Sequence, residues 1–414
     1  ANSLIASLNE AKDLQCLKLE ANTLGVEAAE VIGNALAKHP KFERALWNDL
    51  FTGRMKTEIP QALKHLFSGI MRAKAKLIEL DLSDNALGPI GVEGITEFIK
   101  SPSCYSLQVL RLNNNGLGIK GGTMLAKSLI ELTENASKAG TPLKLKVLIS
   151  GRNRLENEGA KIFAKFFSQV KSLEEIAMPQ NGIFHPGITA LVKSFSLNPN
   201  LRSINLNDNT FTPVGAKSLA QELPNMSNLE IINFGDCLFK TAGAISMAKA
   251  ISSNHMKLKE IYLDSNEIQT AGGIAVIEAI ANKPAISHLM LDTNQFGSDG
   301  AEILLEMLQK MGKEDIMGSL EENEDPDEDE DDEEGSDDDE DESVEEETEE
   351  EEDDDEEEEE EVEDEEECTG VSPMMRAATL QPVQCSASEF MAGPSVGRFL
   401  GLADSIPGSL LQEA

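Results

Sequence analysis

Between Leu50 and Pro60 the chain reads LFTGRMKTEIP, and its two cations, Arg54 and Lys56, stand where a long-running pattern loses its asparagine. A second set of polar residues keeps a fixed place in that pattern. Ala21, Asp49, Asp84, Asn114, Arg152, Gln180, Asp208, Asp236, Ser265 and Thr293 each precede a recurring landmark position, and all but the first and the last two form an unbroken polar run. A row of amides, carboxylates and one guanidinium can grip and orient another protein's side chains. It holds no nucleophile paired with a base. His39, His65, His185, His255 and His288 are scattered without metal-ligand spacing, and there is no Ser/His/Asp set and no Walker-type glycine loop. A hydrolase is therefore the weakest reading, and the chain is expected to bind neither nucleotide nor metal itself.

The elements that must position these residues come from a repeat. LKLEANTLG from Leu17, LDLSDNALG from Leu80, LRLNNNGLG from Leu110, INLNDNTFT from Ile204 and IYLDSNEIQ from Ile261 share the frame LxLxxNxL of a leucine-rich repeat. The landmark asparagines are Asn22, Asn85, Asn115, Asn153, Asn181, Asn209, Asn266 and Asn294, with Cys237 standing in once and Leu50 marking the broken unit. LxL alternation puts two apolar side chains on one side of a strand, and the second half of each unit has helical spacing. Helices are about 10 Å wide and strands sit about 4.8 Å apart, so stacked strand–helix units must curve with the parallel strands inside. The expected fold is an α/β leucine-rich-repeat solenoid, a ribonuclease-inhibitor-like horseshoe of about ten repeats over residues 1–315. Each landmark asparagine is read as structural, its amide satisfying backbone groups of its own turn and the next. Trp47 is expected in the core. The stretch ELTENASKAGTPLK, in the long interval between Asn115 and Asn153, reads as a lengthened helix-to-strand loop.

The net charge of −40 is concentrated in one place. From Glu321 to Glu367 there are 39 acidic residues and no Lys or Arg, whereas residues 1–320 hold 33 basic and 33 acidic side chains. Residues 316–367 are thus expected to be an acidic disordered segment that attracts basic partners, an effect that fades with salt. Residues 368–414 read as a linker and the truncated start of a further domain. The chain opens at Ala1 without Met, and a fragment short of its N-terminus is expected. Five scattered cysteines without CxxC point to reduced thiols. No apolar run is long enough to cross a bilayer, and no secretory signal is present.

DLFTGRMKTEIP, LDLSDNALGP, LRLNNNGLG, GRNRLENEGA, MPQNGI, INLNDNTFT and NFGDCL together resemble, in this order, the animal family of Ran GTPase-activating proteins. The resemblance covers residues 1–315 and continues into the acidic run. It implies a partner, Ran in its GTP form, with Ran-binding proteins as further partners, no direct nucleic acid, no membrane insertion and a monomeric state. GTP and Mg²⁺ would be held by Ran. Arg54, on the rim of the disrupted unit, is the candidate for an arginine finger, which is worth roughly 10³–10⁵ in rate. The family, however, is understood to work without one. By motif, Asn114 corresponds to the asparagine that holds Ran's catalytic glutamine, fixing one rotamer so that the attacking water is aligned. Arg54 then supports the site by docking or by holding its neighbours, and Lys56 contacts Ran. By rim position, Asp84, Arg152, Asp208 and Asp236 are expected at the contact with Ran, the aspartates meeting its basic residues; the structural alternative for Arg152 is a pair with Asp84 or Asp236. The resemblance also implies a cytoplasmic location. The lysine by which the family's full-length members are tethered at the nuclear pore has no match here. The competing reading is a non-catalytic acidic repeat scaffold that binds basic partners such as histones.

Overall fold

The computed structural model describes residues 2–325; the rest of the acidic run and the 368–414 segment lie outside the described residues. Ten strands of three residues form one sheet in chain order. They are β1 (Cys16–Lys18), β2 (Arg44–Leu46), β3 (Glu79–Asp81), β4 (Val109–Arg111), β5 (Val147–Ile149), β6 (Glu175–Ala177), β7 (Ser203–Asn205), β8 (Ile231–Asn233), β9 (Glu260–Tyr262) and β10 (His288–Met290). All neighbours are parallel. Their middle residues align as one column: Leu17, Ala45, Leu80, Leu110, Leu148, Ile176, Ile204, Ile232, Ile261 and Leu289. Every member is buried, so the column is the apolar spine against which the helical halves pack. Trp47 is fully buried in a run of rings with Phe42, Phe67 and Phe98.

The asparagine ladder is built of side-chain rungs. Asn153 shows the full set: its Oδ1 accepts from the Asn115 N–H at 3.0 Å, and its Nδ2 donates to Leu112 O at 2.9 Å and Gly151 O at 3.1 Å. Cys237 keeps the donor role, its Sγ lying 3.4 Å from Leu206 O, and burial pushes its thiol up so that it stays protonated. The ladder has one rung more than the repeat count suggests. Asn294 N–H donates to Asn323 Oδ1 at 2.9 Å, Met317 bridges Leu289, and Glu324 N–H reaches Asn294 O. Residues 316–324 therefore cap the solenoid, a correction to the boundary drawn at 315. Acidic composition concealed Asn323, which sits in the frame but lacks the leucine two residues beyond it.

A second correction concerns the long interval after Asn115. All of ELTENASK is helical, in a helix of 21 residues from Gly118 to Lys138, and the loop is confined to the residues after it. The segment contains no helix breaker before Gly140, and Leu132, Thr133 and Ala136 continue the buried face.

Candidate functional site

The broken unit explains itself through its backbone. Leu50 and Phe51 are buried, so the position normally given to an amide is apolar. The rung to the first unit is made by main chain instead. Asn22 N–H donates to Asp49 O at 2.8 Å, Leu24 N–H to Leu50 O at 2.9 Å, and Thr23 forms an antiparallel bridge with Phe51. The two units also approach closely behind this point: a Cβ on Gly33 would lie 2.2 Å from His65 O, and one on Gly69 2.0 Å from Gly33 O. After Phe51 the chain lies at the surface, with Thr52, Gly53, Met55, Lys56 and Thr57 exposed.

Arg54 lies on that outward loop and folds back across the first unit. Its Nη2 donates to Thr23 O at 2.8 Å, its Nε lies 3.3 Å from the same oxygen, and its Nη1 is 3.8 Å from Glu58 Oε1. The guanidinium covers Gly25, where an added Cβ would stand 3.2 Å from its carbon. Glu58 in turn accepts from the Met55 N–H at 3.0 Å. Lys56 and Met55 are exposed, and Lys56 has no ion-pair partner among the described residues. The loop thus presents a free ammonium and a thioether, with a tethered guanidinium beneath them.

The polar row has a backbone cause. All ten of its members, from Ala21 to Thr293, have φ between 47° and 60°, the left-handed corner that ends each strand turn. Asn and Asp tolerate this conformation better than other non-glycine residues. Their presence at Asp49, Asp84, Asn114, Asp208 and Asp236 is thus partly steric. In the eight from Asp49 to Ser265 the N–H points into the next unit, for example Asp84 to Asn113 O and Asn114 to Gly151 O, both at 2.8 Å. The side chains are left at the lip.

The lip divides into two networks. Asn114 Nδ2 donates to Asp84 Oδ1 at 2.9 Å. Arg152 Nε donates to Gln180 Oε1, and Gln180 Nε2 donates to Asp208 Oδ2 at 2.6 Å. The partner expected for Arg152 was Asp84 or Asp236; the structure gives it Gln180, which is its neighbour in the next unit. Beyond Asp208 the lip is acidic. Burial and then Asp208 push the Asp236 carboxyl up, and burial with Asp236 and Asp292 does the same to Asp264. Arg54 and Lys56 stand toward the other end, two repeats from Asn114.

One cluster escaped the sequence reading. On the inner wall Arg44 Nη2 lies 2.6 Å from Glu79 Oε2, Arg111 bonds the other Glu79 oxygen, and buried Asp81 lies beside them with its carboxyl pushed up by burial. Reading across the register would have found it, since Arg44 is opposite Glu79 and Asp81 opposite Arg111. No helix among the described residues is long and apolar enough to cross a membrane.

A leucine-rich repeat family model matches residues 73–95 and 197–220. The chain is 53% identical over 308 residues to the Ran GTPase-activating protein of Drosophila melanogaster, covering 74% of this chain and 52% of that one. It is 53% identical over 323 residues to Ran GTPase-activating protein 1 of Xenopus laevis, covering 78% and 56%. To Ran GTPase-activating protein 1 of Saccharomyces cerevisiae it is 33% identical over 177 residues, 42% of each chain. It spans about half the length of the two animal relatives. Its repeat region is thus similar in sequence to that of the Ran GTPase-activating proteins of Drosophila melanogaster and Xenopus laevis, and it carries leucine-rich repeats.

Proposed function

We propose that this chain accelerates GTP hydrolysis by Ran, acting on Ran's own active site without carrying out the chemistry itself. The observation that carries the mechanism is Asn114: an exposed carboxamide at the lip, its nitrogen engaged by Asp84 and its oxygen open. A carboxamide so placed can accept from the NH₂ of a glutamine and hold that side chain in one rotamer. Fixing a flexible water-positioning group lowers the barrier by removing the cost of ordering it during the reaction. Ran supplies the nucleotide, the Mg²⁺ and the attacking water. Arg54 serves as a brace for the 52–57 loop, and Lys56 and the acidic half of the lip, Asp208 and Asp236, bind the partner. The activity belongs to nucleocytoplasmic transport, with the chain working in the cytoplasm.

The test is single-turnover hydrolysis on Ran loaded with GTP. Wild-type chain accelerates phosphate release, and Asn114→Ala lowers the rate at saturating chain by at least about 100-fold, the scale of losing one well-placed transition-state donor or acceptor. Half-saturation shifts far less. An unchanged saturated rate in Asn114→Ala would remove the role assigned to this amide. No acceleration by wild type, with capture of basic proteins such as histones, would replace the reading with the scaffold one.

A further inference from the structure

We infer that Asp84 is a positioning residue: it decides which end of the Asn114 amide faces the partner. The inference rests on the Ran reading above and deepens it. An ionised carboxylate can only accept hydrogen bonds. With Asp84 Oδ1 at 2.9 Å, Asn114 must turn its NH₂ toward Asp84 and its carbonyl away. The backbone fixes both ends of the pair, because each residue sits in the left-handed corner, at φ 60° and 53°, with its N–H bonded into the following unit. Asp84 has no other side-chain hydrogen bond or ion pair among the described residues.

The same repeat position shows the contrast. Gln180 is the other amide in the row, and both of its ends are engaged, the oxygen by Arg152 and the nitrogen by Asp208. Asn114 has one end pinned and one end open. A glutamine carboxamide brought to the lip therefore meets an acceptor and offers its own NH₂, which leaves its carbonyl free to take a hydrogen from water. Without Asp84 the Asn114 amide presents either end, and the wrong one turns the glutamine over. Asp84 thus acts on the reaction through Asn114 and touches none of the reacting atoms.

The experiment measures single-turnover GTP hydrolysis by Ran across a range of chain concentrations, separating the saturated rate from the half-saturation point. Asp84→Gly removes the carboxylate without straining the left-handed corner. It is expected to lower the saturated rate about 10-fold, the worth of one charge-assisted hydrogen bond, while half-saturation moves less than about 3-fold. Asp84→Asn keeps a hydrogen bond but restores the choice of orientation, and its rate falls between the two. In the Asn114→Ala background Asp84→Gly costs nothing further, because the group it orients is gone. The inference is overturned if Asp84→Gly shifts half-saturation and leaves the saturated rate alone, which would make Asp84 a direct contact. It is equally overturned if the losses from the two sites multiply in full. If wild type accelerates nothing, the functional reading itself has failed; if wild type accelerates and Asn114→Ala does not, with Asp84→Gly silent, the positioning claim alone has failed.

Discussion

Replacing Arg54 with alanine separates a finger from a brace, because the two roles differ by orders of magnitude. In the structure the guanidinium makes one good hydrogen bond, to Thr23 O at 2.8 Å, a long second one at 3.3 Å and a loose ion pair with Glu58 at 3.8 Å. All are partly exposed. A surface ion pair of this length contributes little, and a charge-assisted bond to a carbonyl is worth about 1.5 kcal/mol at the surface end of its range. Adding a few tenths for packing over Gly25 gives about 2 kcal/mol holding the 52–57 loop against the first unit. If that energy keeps the loop in its competent position, its loss reduces the competent population by no more than about 30-fold. A finger that neutralises charge on the transferring phosphoryl group would cost about 10³-fold or more at saturation. The expected result for Arg54→Ala is a loss of 10- to 30-fold at most, as these estimates set it, accompanied by faster amide hydrogen exchange across Gly53–Thr57. Arg54→Lys can still reach Thr23 O with one donor and should recover part of the loss. A 10³-fold fall in the saturated rate with unchanged exchange in the loop would refute the brace.

Two further predictions concern the scaffold and its pH response. Asn153→Ala strands the Asn115 N–H and Leu112 O inside the turn, and at about 1–3 kcal/mol for a buried unsatisfied group it should cost about 3 kcal/mol in urea unfolding. Asn153→Cys should cost clearly less, since Cys237 shows that a thiol retains the donor. His255 donates from Nε2 to Leu223 O at 3.0 Å while its Nδ1 is buried without a partner, and burial pushes its pKa below the ordinary value of 6.5. The unfolded chain therefore takes up a proton first. The stability contributed by neutral His255 is complete above about pH 6.5 and is lost as pH falls from there through the folded-state value. His255→Gln should show a shallower loss between about pH 7 and 5 than wild type when unfolding is followed by urea titration at each pH.

The repeat was legible because its signal is redundant. Each unit carries two apolar strand positions, one amide and a helical half, and the register column from Leu17 to Leu289 repeats the same choice ten times. A fault in one unit, such as Leu50, cannot hide a pattern supported by its neighbours. The ends were harder to read for the opposite reason. Asn323 has a single supporting neighbour and lies among carboxylates, so composition outweighed register there. The end of the helix through Lys138 reads as loop in sequence because its exposed face is polar and Gly140 and Pro142 follow closely, although Leu132 and Ala136 keep the helical spacing. The cluster of Arg44, Glu79 and Arg111 was missed because it depends on pairing between strands, which a scan along one strand does not see.

The lip itself shows what a polar row does and does not establish. Ten successive non-glycine residues in the left-handed region would each cost about 1–2 kcal/mol in an unsupported chain, and Asp and Asn reduce that cost. Five of the ten, Asp49, Asp84, Asn114, Asp208 and Asp236, are therefore accounted for in part by the turn. Arg152 and Gln180 gain no such relief, and both are tied into the network that ends at Asp208. Polarity alone thus cannot single out a functional residue on this lip. Hydrogen-bond occupancy does differ between the row's two amides: Gln180 is engaged at both ends by its neighbours, and Asn114 is held at one end only. The open oxygen of Asn114, and the carboxylate that keeps it open, distinguish that corner from the otherwise equivalent turns of the solenoid.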